Sequence, residues 1–586
     1  MSTVAVNRRI SVVHSVMLVT VLALSGRLIY LQVWKGADLK GKAQAQQLHT
    51  IPLAAKRGLI LDRNGQPLAM NLPSFSLYAQ PREFKLTAAE IAAGLAPILG
   101  KTLDEVHKDL QGQPFRFLSR RLDEGQAQRI RSLKLTGIGL IRESRRVYPN
   151  GSLAANLLGF VGIDNQGLAG MEISFDKMLR ADSETLTVFT DALGQEVLRQ
   201  GDGLPLAVEK VEGNHVVTTL DTTLQHIVER RLKTSIDTLH AERGGAVVMD
   251  LENGDVLAMA MAPSFDPNHF AGSWETIKNW MITDMYEPGS TMKMFTMAAA
   301  LDSGVLSTNE TVACPGQISV EKWKVHDHGT NPGEVRHLRP IDILEVSSNV
   351  GCSLIGRRMT PEVHRKLLNR FGFGHVTGSR LSGEAPGMLE KLPWSPARQS
   401  TISFGQGVAV TPLQLLTGLT AFGRNGVIIQ PRFIQRVDNP MGETIKVFPP
   451  KERQAVKPEN AKAILDMMVQ VVEGKEGTGR GVKVPGYTMA GKTGTADKVV
   501  NGRYNGDVIA SFVGLMPARK PRYQIFVVID APKTLHFASE TAVPLVKDIV
   551  SDMIKAYRIP PERPQELLAA KGDASETGKA KKGTIL

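Results

Sequence analysis

The sequence predicts a chain of the mixed α/β (α+β) class, an antiparallel sheet packed with helices, behind a membrane-spanning helix. Three observations carry this. Residues 10–26 are apolar apart from one histidine and a few hydroxyls. Strand-like apolar runs occur at 245–262 and again at 487–530, with a largely helical middle between them, so one sheet must be assembled from distant segments. A long amphipathic pattern over 540–557 supplies a closing helix. At 586 residues the chain is too long for one core and divides into several domains.

Taken in order, the apolar run continues through L-I-Y-L-Q-V-W, past the roughly 20 residues that cross a bilayer core. Arg27 can snorkel there, and Tyr30 and Trp34 supply interfacial rings. Ala23-Leu24-Ser25 loosely fits a signal-peptide cleavage site, but the run exceeds the usual apolar core of about 7–15 residues, which favours an anchor. Arg8 and Arg9 precede the span while Arg27, Lys35, Lys40 and Lys42 follow it, so charge counting leaves the orientation open. Between 35 and 215 the pattern is that of a scaffold. Asn64-Gly65 between two apolar runs predicts a hairpin, and Thr87-Ala88-Ala89-Glu90 a capping box opening a helix on Ile91, Leu95 and Ile98. A core begins near 218, where Leu224, Ile227, Val228 and Leu232 share a helix face. A buried hairpin follows, G-A-V-V-M-D and V-L-A-M-A-M-A about a turn at Asn253-Gly254. Three further strands are expected at 487–496, 509–516 and 523–530. The tail after about 562 has too little apolar content to fold and is expected to be disordered.

The net charge of +12 would suit an anionic surface, yet no nucleic-acid module accompanies it and the basic residues are spread along the chain. Nucleic acid is therefore not an expected partner. Cys314 and Cys352, the two cysteines, have neither C-x-x-C spacing nor a nearby histidine pair, so no metal is expected. They read as small core residues, with a disulfide left open.

The chemistry concentrates in an ordered trio: Ser290-x-x-Lys293, Ser347-x-Asn349 and Lys492-Thr493-Gly494-Thr495. S-x-x-K alone is weak, because Ser174/Lys177 and Ser319/Lys322 match it too, and Ser307/Asn309 matches S-x-N; K-T-G occurs once. The trio in this order is the signature of class A β-lactamases and penicillin-binding proteins. Physical chemistry favours Ser290 as nucleophile. Positions i and i+3 of a helix lie one above the other, so Lys293 can reach the Ser290 hydroxyl. Pro288-Gly289 suit a sharp helix entry whose first-turn amides can stabilise an oxyanion. Lys293 needs a lowered pKa to act as base; Met292, Met294 and Phe295 offer desolvation, and Lys492 a second cation. Ser347 and Asn349 would share one side of an extended turn, or the stretch could cap a helix. On a strand, Lys492 and Gly494 alternate with Thr493 and Thr495, the hydroxyls suiting a carboxylate.

From about 57 to 550 the chain resembles the class B penicillin-binding proteins, most closely their division-specific (FtsI-type) branch of peptidoglycan D,D-transpeptidases. The blocks that carry the resemblance include R-G-L-I-L-D-R-N-G, R-V-Y-P-N-G, G-M-E-I-S-F-D, Y-E-P-G-S-T-M-K, S-S-N-V-G, F-G-Q-G-V-A-V-T-P-L-Q-L and G-K-T-G-T-A-D-K. It departs at H-F-A-S-E-T-A-V-P-L, where relatives carry a glycine pair. The resemblance implies a cytoplasmic tail (1–9), an uncleaved anchor (10–34), an elongated non-catalytic pedestal or dimerisation-like domain (35–215), a penicillin-binding, serine β-lactamase-like transpeptidase domain (216–562) and a disordered tail (563–586).

It further implies a periplasmic body on a single-pass inner-membrane anchor, enriched at the division site. Ser290, helped by Lys293, would attack the penultimate D-Ala of a donor stem peptide, and the amides of Ser290 and Thr495 would hold the oxyanion. Ser347 and Lys492 would relay the proton, Asn349 would hold the donor amide, and Thr493 and Thr495, with Gly494 between them, would bind the terminal carboxylate. An amine acceptor would resolve the acyl-enzyme, and β-lactams would acylate Ser290. No cofactor is implied; a polytopic SEDS-type glycosyltransferase and divisome proteins are implied as partners. Alternatives on the same fold are an elongation-type transpeptidase or a D,D-carboxypeptidase, with a non-catalytic β-lactam-binding scaffold or sensor as the remaining option. No E-x-x-L-N stands between 349 and 492 to supply the deacylating glutamate of a class A β-lactamase.

Overall fold

The computed structural model describes residues 3–36, 48–52, 56–111, 115–181, 185–189, 212–269, 274–500 and 502–567. Two compact units are present, one formed by 1–56 with 181–212 and the other by 57–180 with 213–586.

In the smaller unit, helix α1 (Thr3–Ile29) runs into a wider turn at Tyr30–Trp34. Its stretch Ile10–Trp34 has a mean hydropathy of 1.9 and is long and apolar enough to cross a membrane. The Arg27 guanidinium lies over the Tyr30 ring at 5.4 Å. Leu48–Pro52 and Thr185–Phe189 pair as antiparallel strands.

The larger unit begins with the expected hairpin. Strands β1 (Ile60–Leu61) and β2 (Pro67–Ala79) pair antiparallel about Gly65, whose φ of +82° suits a residue without a Cβ. Asp62 Oδ1 accepts from the amides of Asn64 and Gln66, both at 2.8 Å, and so fixes the turn. Both β3 (Arg116–Leu122) and β4 (Ile138–Val147) pair with β2. The helix Ala88–Leu99 opens with the Thr87/Glu90 capping box and buries Ile91 and Leu95 beneath these strands.

Strand β5 (His215–Thr218) pairs in parallel with β1 and antiparallel with β8 (Ile434–Asp438), which pairs with β9 (Thr444–Val447). The resulting sheet has the order β9-β8-β5-β1-β2-β3 with β4 also on β2, so strands from either side of residue 215 share one ladder.

The second sheet has the order β10-β11-β12-β6-β7, with β6 (Arg243–Asp250), β7 (Val256–Ala262), β10 (Ala490–Val500), β11 (Arg503–Met516) and β12 (Tyr523–Asp530) all antiparallel. Both faces are covered, which is why β7, and β6 between its end residues Arg243 and Asp250, have no polar side chain. Val247 and Met249 pack into one core cluster while Ala246 and Val248 pack into the other. Helices α2 (Thr222–Leu239) and α5 (Ala542–Tyr557) cover the second face, linked by the Arg231–Asp552 ion pair at 2.7 Å. On α2 the buried face holds Gln225 beside Leu224, Val228 and Leu232, while Ile227 is only half-buried. Gln225 is buried because its amide exchanges two 2.8 Å bonds with the Met259 backbone.

On the other face lies α3 (Met292–Asp302), buried at every position from Met292 to Leu301 and so apolar all round except at Lys293 and at Thr296, whose hydroxyl donates to Ser403 O at 2.9 Å. Beyond α5, the expected tail begins with residues held to the body: Arg563 N donates to Gly486 O at 3.0 Å, and Gly486 N to Glu566 Oε2 at 3.4 Å. Residues 568–586, the rest of that tail, lie outside the described residues.

Candidate active site

Ser290 stands in a single 3₁₀ turn, Gly289–Thr291, that leads into α3. Gly289 is required there twice over. Its φ is +52°, and a Cβ would lie 2.9 Å from Thr495 O and 3.0 Å from the Ala496 Cβ, so glycine lets the turn press against β10. From the other side Gly405 O accepts from Gly289 N at 3.2 Å, and a Cβ on Gly405 would lie 2.1 Å from Gly289 O. The F-G-Q-G loop is therefore a backbone clamp on the nucleophile turn. Ser290 itself is half-buried.

One turn on, Lys293 is fully buried, and so is Lys492 on β10. The two converge on one hydroxyl. Ser347 Oγ accepts from Lys293 Nζ at 3.1 Å and from Lys492 Nζ at 3.0 Å, and Lys293 also bonds the Ser347 carbonyl. Among the described residues no hydrogen bond joins Lys293 to Ser290, although the i, i+3 spacing would allow it. Ser347 wins because it is held at φ +60°, a left-handed conformation unusual for a residue with a Cβ, and not in the extended turn expected. The next residue, Ser348, caps α4 (Asn349–Gly356) by accepting from Gly351 N at 2.8 Å, so the helix-cap reading of S-S-N also holds. Asp327 fastens this helix start, taking Ser348 Oγ at 2.5 Å and Val350 N at 2.9 Å. Asn349 Nδ2 donates to His326 O at 3.2 Å.

Burial lowers the Lys293 pKa to about 8, against weaker opposing contributions from Cys352 and Asp327. Lys492 is driven well below its ordinary value, first by burial and then by repulsion from Lys293. The second-cation effect thus acts on Lys492. Cys314 and Cys352 are both buried free thiols. Burial raises the Cys352 thiol to about 12.

Strand β10 is an edge of its sheet, which leaves one side of its backbone without a neighbouring strand. Thr493 Oγ1 is 2.7 Å from Thr478 Oγ1, and Thr495 Oγ1 accepts from Ala538 N at 3.3 Å. The loop of the H-F-A-S-E departure therefore adjoins Thr495, with Phe537 exposed beside it. At Gly494 a Cβ would lie 2.5 Å from Ser511 Oγ and 2.9 Å from Thr291 Cγ2, the close approach that glycine permits. The other S-x-x-K serines are elsewhere: Ser174 bonds Gly170 O at 2.7 Å within its own short helix, and Ser319 is exposed on a two-stranded ribbon.

Sequence reasoning missed Thr478, Asp327 and Glu287. Glu287 Oε1 takes Gly407 N at 2.7 Å, and Tyr504 OH donates to Oε2 at 3.1 Å, so it ties the clamp loop to the segment ahead of Ser290. It also lines a cavity of about 550 Å³ with Trp280, Arg398, Asp497 and Lys498. Glu287 adjoins Pro288 in the quoted block, the one signal that could have drawn attention to it. Among the described residues no group of three or more His, Cys, Asp or Glu side chains is placed to hold a metal ion.

A serine at a helix entry, backed by two desolvated lysines on a shared hydroxyl and flanked by an edge strand, defines a serine acyltransferase. The profile of the penicillin binding protein transpeptidase domain matches residues 244–551, and that of the penicillin-binding protein dimerisation domain matches 52–218. The chain belongs to the penicillin-binding protein transpeptidases, in the class B form that joins these two domains.

It is 33% identical to peptidoglycan D,D-transpeptidase FtsI of Escherichia coli (strain K12), over 92% of this chain and 90% of that protein. With stage V sporulation protein D of Bacillus subtilis (strain 168) it shares 32% identity, over 96% of this chain and 88% of the relative. Among solved structures, a peptidoglycan synthetase from Bifidobacterium adolescentis matches with a TM-score of 0.69 at 26% identity, over 89% of this chain and 98% of that one. Penicillin binding protein 3 of Mycobacterium tuberculosis, complexed with aztreonam, matches with 0.67 at 27% identity, over 88% and 98%.

Proposed function

We propose that this chain is a peptidoglycan D,D-transpeptidase that cross-links stem peptides of the cell wall through an acyl-enzyme on Ser290. The observation that carries the reading is Ser347 Oγ at 3.1 Å from one buried lysine and 3.0 Å from the other, beside the Ser290 turn. With its pKa near 8, Lys293 supplies a neutral amine to take the Ser290 proton as Oγ bonds to the donor carbonyl carbon. Amides of Ser290 and Thr495 stabilise the oxyanion. The chain Lys293–Ser347–Lys492 carries a proton to the leaving D-Ala nitrogen as the C–N bond breaks. Asn349 holds the donor amide, and Thr493 and Thr495 bind its carboxylate next to Gly494. An amine from a second stem peptide then attacks the ester, forming the cross-link and returning the proton to Ser290.

The domain limits we adopt are a cytoplasmic tail at 1–9, an anchor at 10–34, a pedestal at 35–215, a transpeptidase domain at 216–562 and a tail from 563. The apolar helix supports a membrane anchor, and likeness to FtsI supports an inner-membrane location with a periplasmic body. Likeness to FtsI supports a septal role beside divisome proteins and a SEDS-type glycosyltransferase, and depletion yielding filaments rather than round cells tests it.

The direct test of the chemistry is intact mass after penicillin. A long-lived adduct mapping to Ser290, lost in Ser290→Ala along with cross-linking, is expected. Rapid penicillin turnover would instead establish a hydrolase, and undiminished cross-linking in Ser290→Ala a scaffold.

A further inference from the structure

Acyl transfer makes no use of a second charged cavity, of about 200 Å³, in the larger unit. Arg121, Arg145 and Arg146 line one side of it; Asn268 and His269, from the loop after β7, line the other, and none of its lining residues is acidic. Arg146 is a built element of its wall. Its side chain is 1% exposed, with Nε on Glu172 at 2.7 Å and Nη1 on Gly58 O at 2.7 Å, while Nη2 has no partner among the described residues. Arg121 Nη2 donates to Gly162 O at 2.6 Å, and its buried Nε likewise has no partner among the described residues.

The nearby acids are already engaged. Glu143 and Asp164 both pair with Arg120 at 2.9 Å, and Glu172 is shared between Arg57 and Arg146. Arg145 is exposed and forms no ion pair among the described residues. Burial, with repulsion from Arg120 and Arg145, lowers the Arg121 pKa, and this residue also sits at φ +61°. Like charges held together, two of them with an idle buried N–H, are costly unless something anionic joins them.

We propose that this cavity is a binding site for a phosphoryl anion, with Arg121 and Arg145 supplying the uncompensated charge. Guanidinium forks suit carboxylates as well as phosphates. With two cations to neutralise, a multivalent phosphoryl oxyanion is favoured over a single carboxylate. The volume is roughly that of half a dozen waters, enough for a diphosphate group. Such a group could come free in solution or from a lipid-linked phosphate.

The full chain in detergent is titrated calorimetrically with inorganic pyrophosphate, against sodium chloride at equal ionic strength. Saturable binding is expected, weakened at least ~10-fold in Arg121→Gln and in Arg145→Gln, with penicillin labelling of both variants at the parent rate. Should Arg121→Gln lose labelling and so its fold, the exposed site decides through Arg145→Glu, where binding must vanish. Farnesyl diphosphate in the same micelles separates the sources: tighter binding than pyrophosphate points to a lipid-linked phosphate, equal binding to the free anion. The proposal is overturned if pyrophosphate binds no better than chloride, if folded variants bind as the parent does, or if citrate binds more tightly than pyrophosphate. Penicillin acylation is unaffected in each case, so failure here leaves the Ser290 chemistry standing.

Discussion

Within the stretch that matches the dimerisation domain, Glu172 receives the Nε groups of Arg57 and Arg146 at 2.5 and 2.7 Å, with Tyr148 OH at 3.2 Å. In the transpeptidase part, Ser347 Oγ receives the ammonium groups of Lys293 and Lys492 at 3.1 and 3.0 Å. Both are acceptors between two buried basic side chains, and the difference is the charge of the acceptor. Glu172, with Asp176 on Arg57 at 2.6 Å, balances the two guanidinium partners and fixes them as ions, which suits a scaffold. A hydroxyl balances nothing, so desolvation weakens the lysines' hold on their protons, and the same hydroxyl can donate to whichever lysine is neutral. One centre resists change and the other is poised for it.

The largest effect that would break this contrast is on rate. Lys293→Met should slow penicillin acylation of Ser290 by about 10²–10⁴-fold, the range of a lost general base, without lowering the melting temperature. A clear loss of stability would mean that Lys293 belongs with the structural ions after all. The reciprocal change is Glu172→Gln, which keeps shape but leaves two buried guanidinium groups facing a neutral amide. It should cost about 3–5 kcal/mol of stability by thermal denaturation, while the molecules that remain folded acylate at the parent rate. A slower acylation in that folded fraction would join the two centres.

The contrast extends to pH. Lys293 must be neutral to accept a proton, so acylation should rise about tenfold per pH unit up to about pH 8 and then level off. Stopped-flow acylation from pH 6 to 9.5 checks this, and a profile flat through 7 would exclude Lys293 as base. Stability follows with a definite sign. The folded pKa lies below that of the unfolded chain, so between about 8 and 10.5 the unfolded state binds more protons. Stability should therefore climb with pH across that window, and Lys293→Met should reduce the slope to the part that Lys492 contributes.

Much of this was legible beforehand, for reasons that differ by element. Apolar runs about turn glycines marked β1, β2, β6 and β7, because those signals are local. The three motifs named Ser290, Lys293, Ser347, Asn349 and Lys492, yet spacing aimed Lys293 at Ser290, and the left-handed turn at Ser347 was invisible in S-S-N. Gln225 on an apolar face and the ladder joining β1, β5 and β8 both depend on partners far away in sequence. Thr478 was missed for the same reason, since nothing near it suggests chemistry.

Thr478 also gives the finest test of the contrast. Its hydroxyl is 2.7 Å from Thr493 Oγ1, whose own carbonyl accepts from Lys492 Nζ at 3.0 Å. Thr478→Val keeps the volume and deletes one hydrogen bond, so it should cost about 1 kcal/mol, roughly a fivefold effect. If Thr478 only orients the hydroxyl that meets the donor carboxylate, that factor should fall on the apparent Kd for penicillin, with the limiting acylation rate and its pH profile unchanged. If Thr478 also steadies Lys492, the limiting rate and its pH midpoint should move together. The unshifted profile is the expected result, because Lys492 keeps its bond to Ser347 Oγ whatever stands at 478.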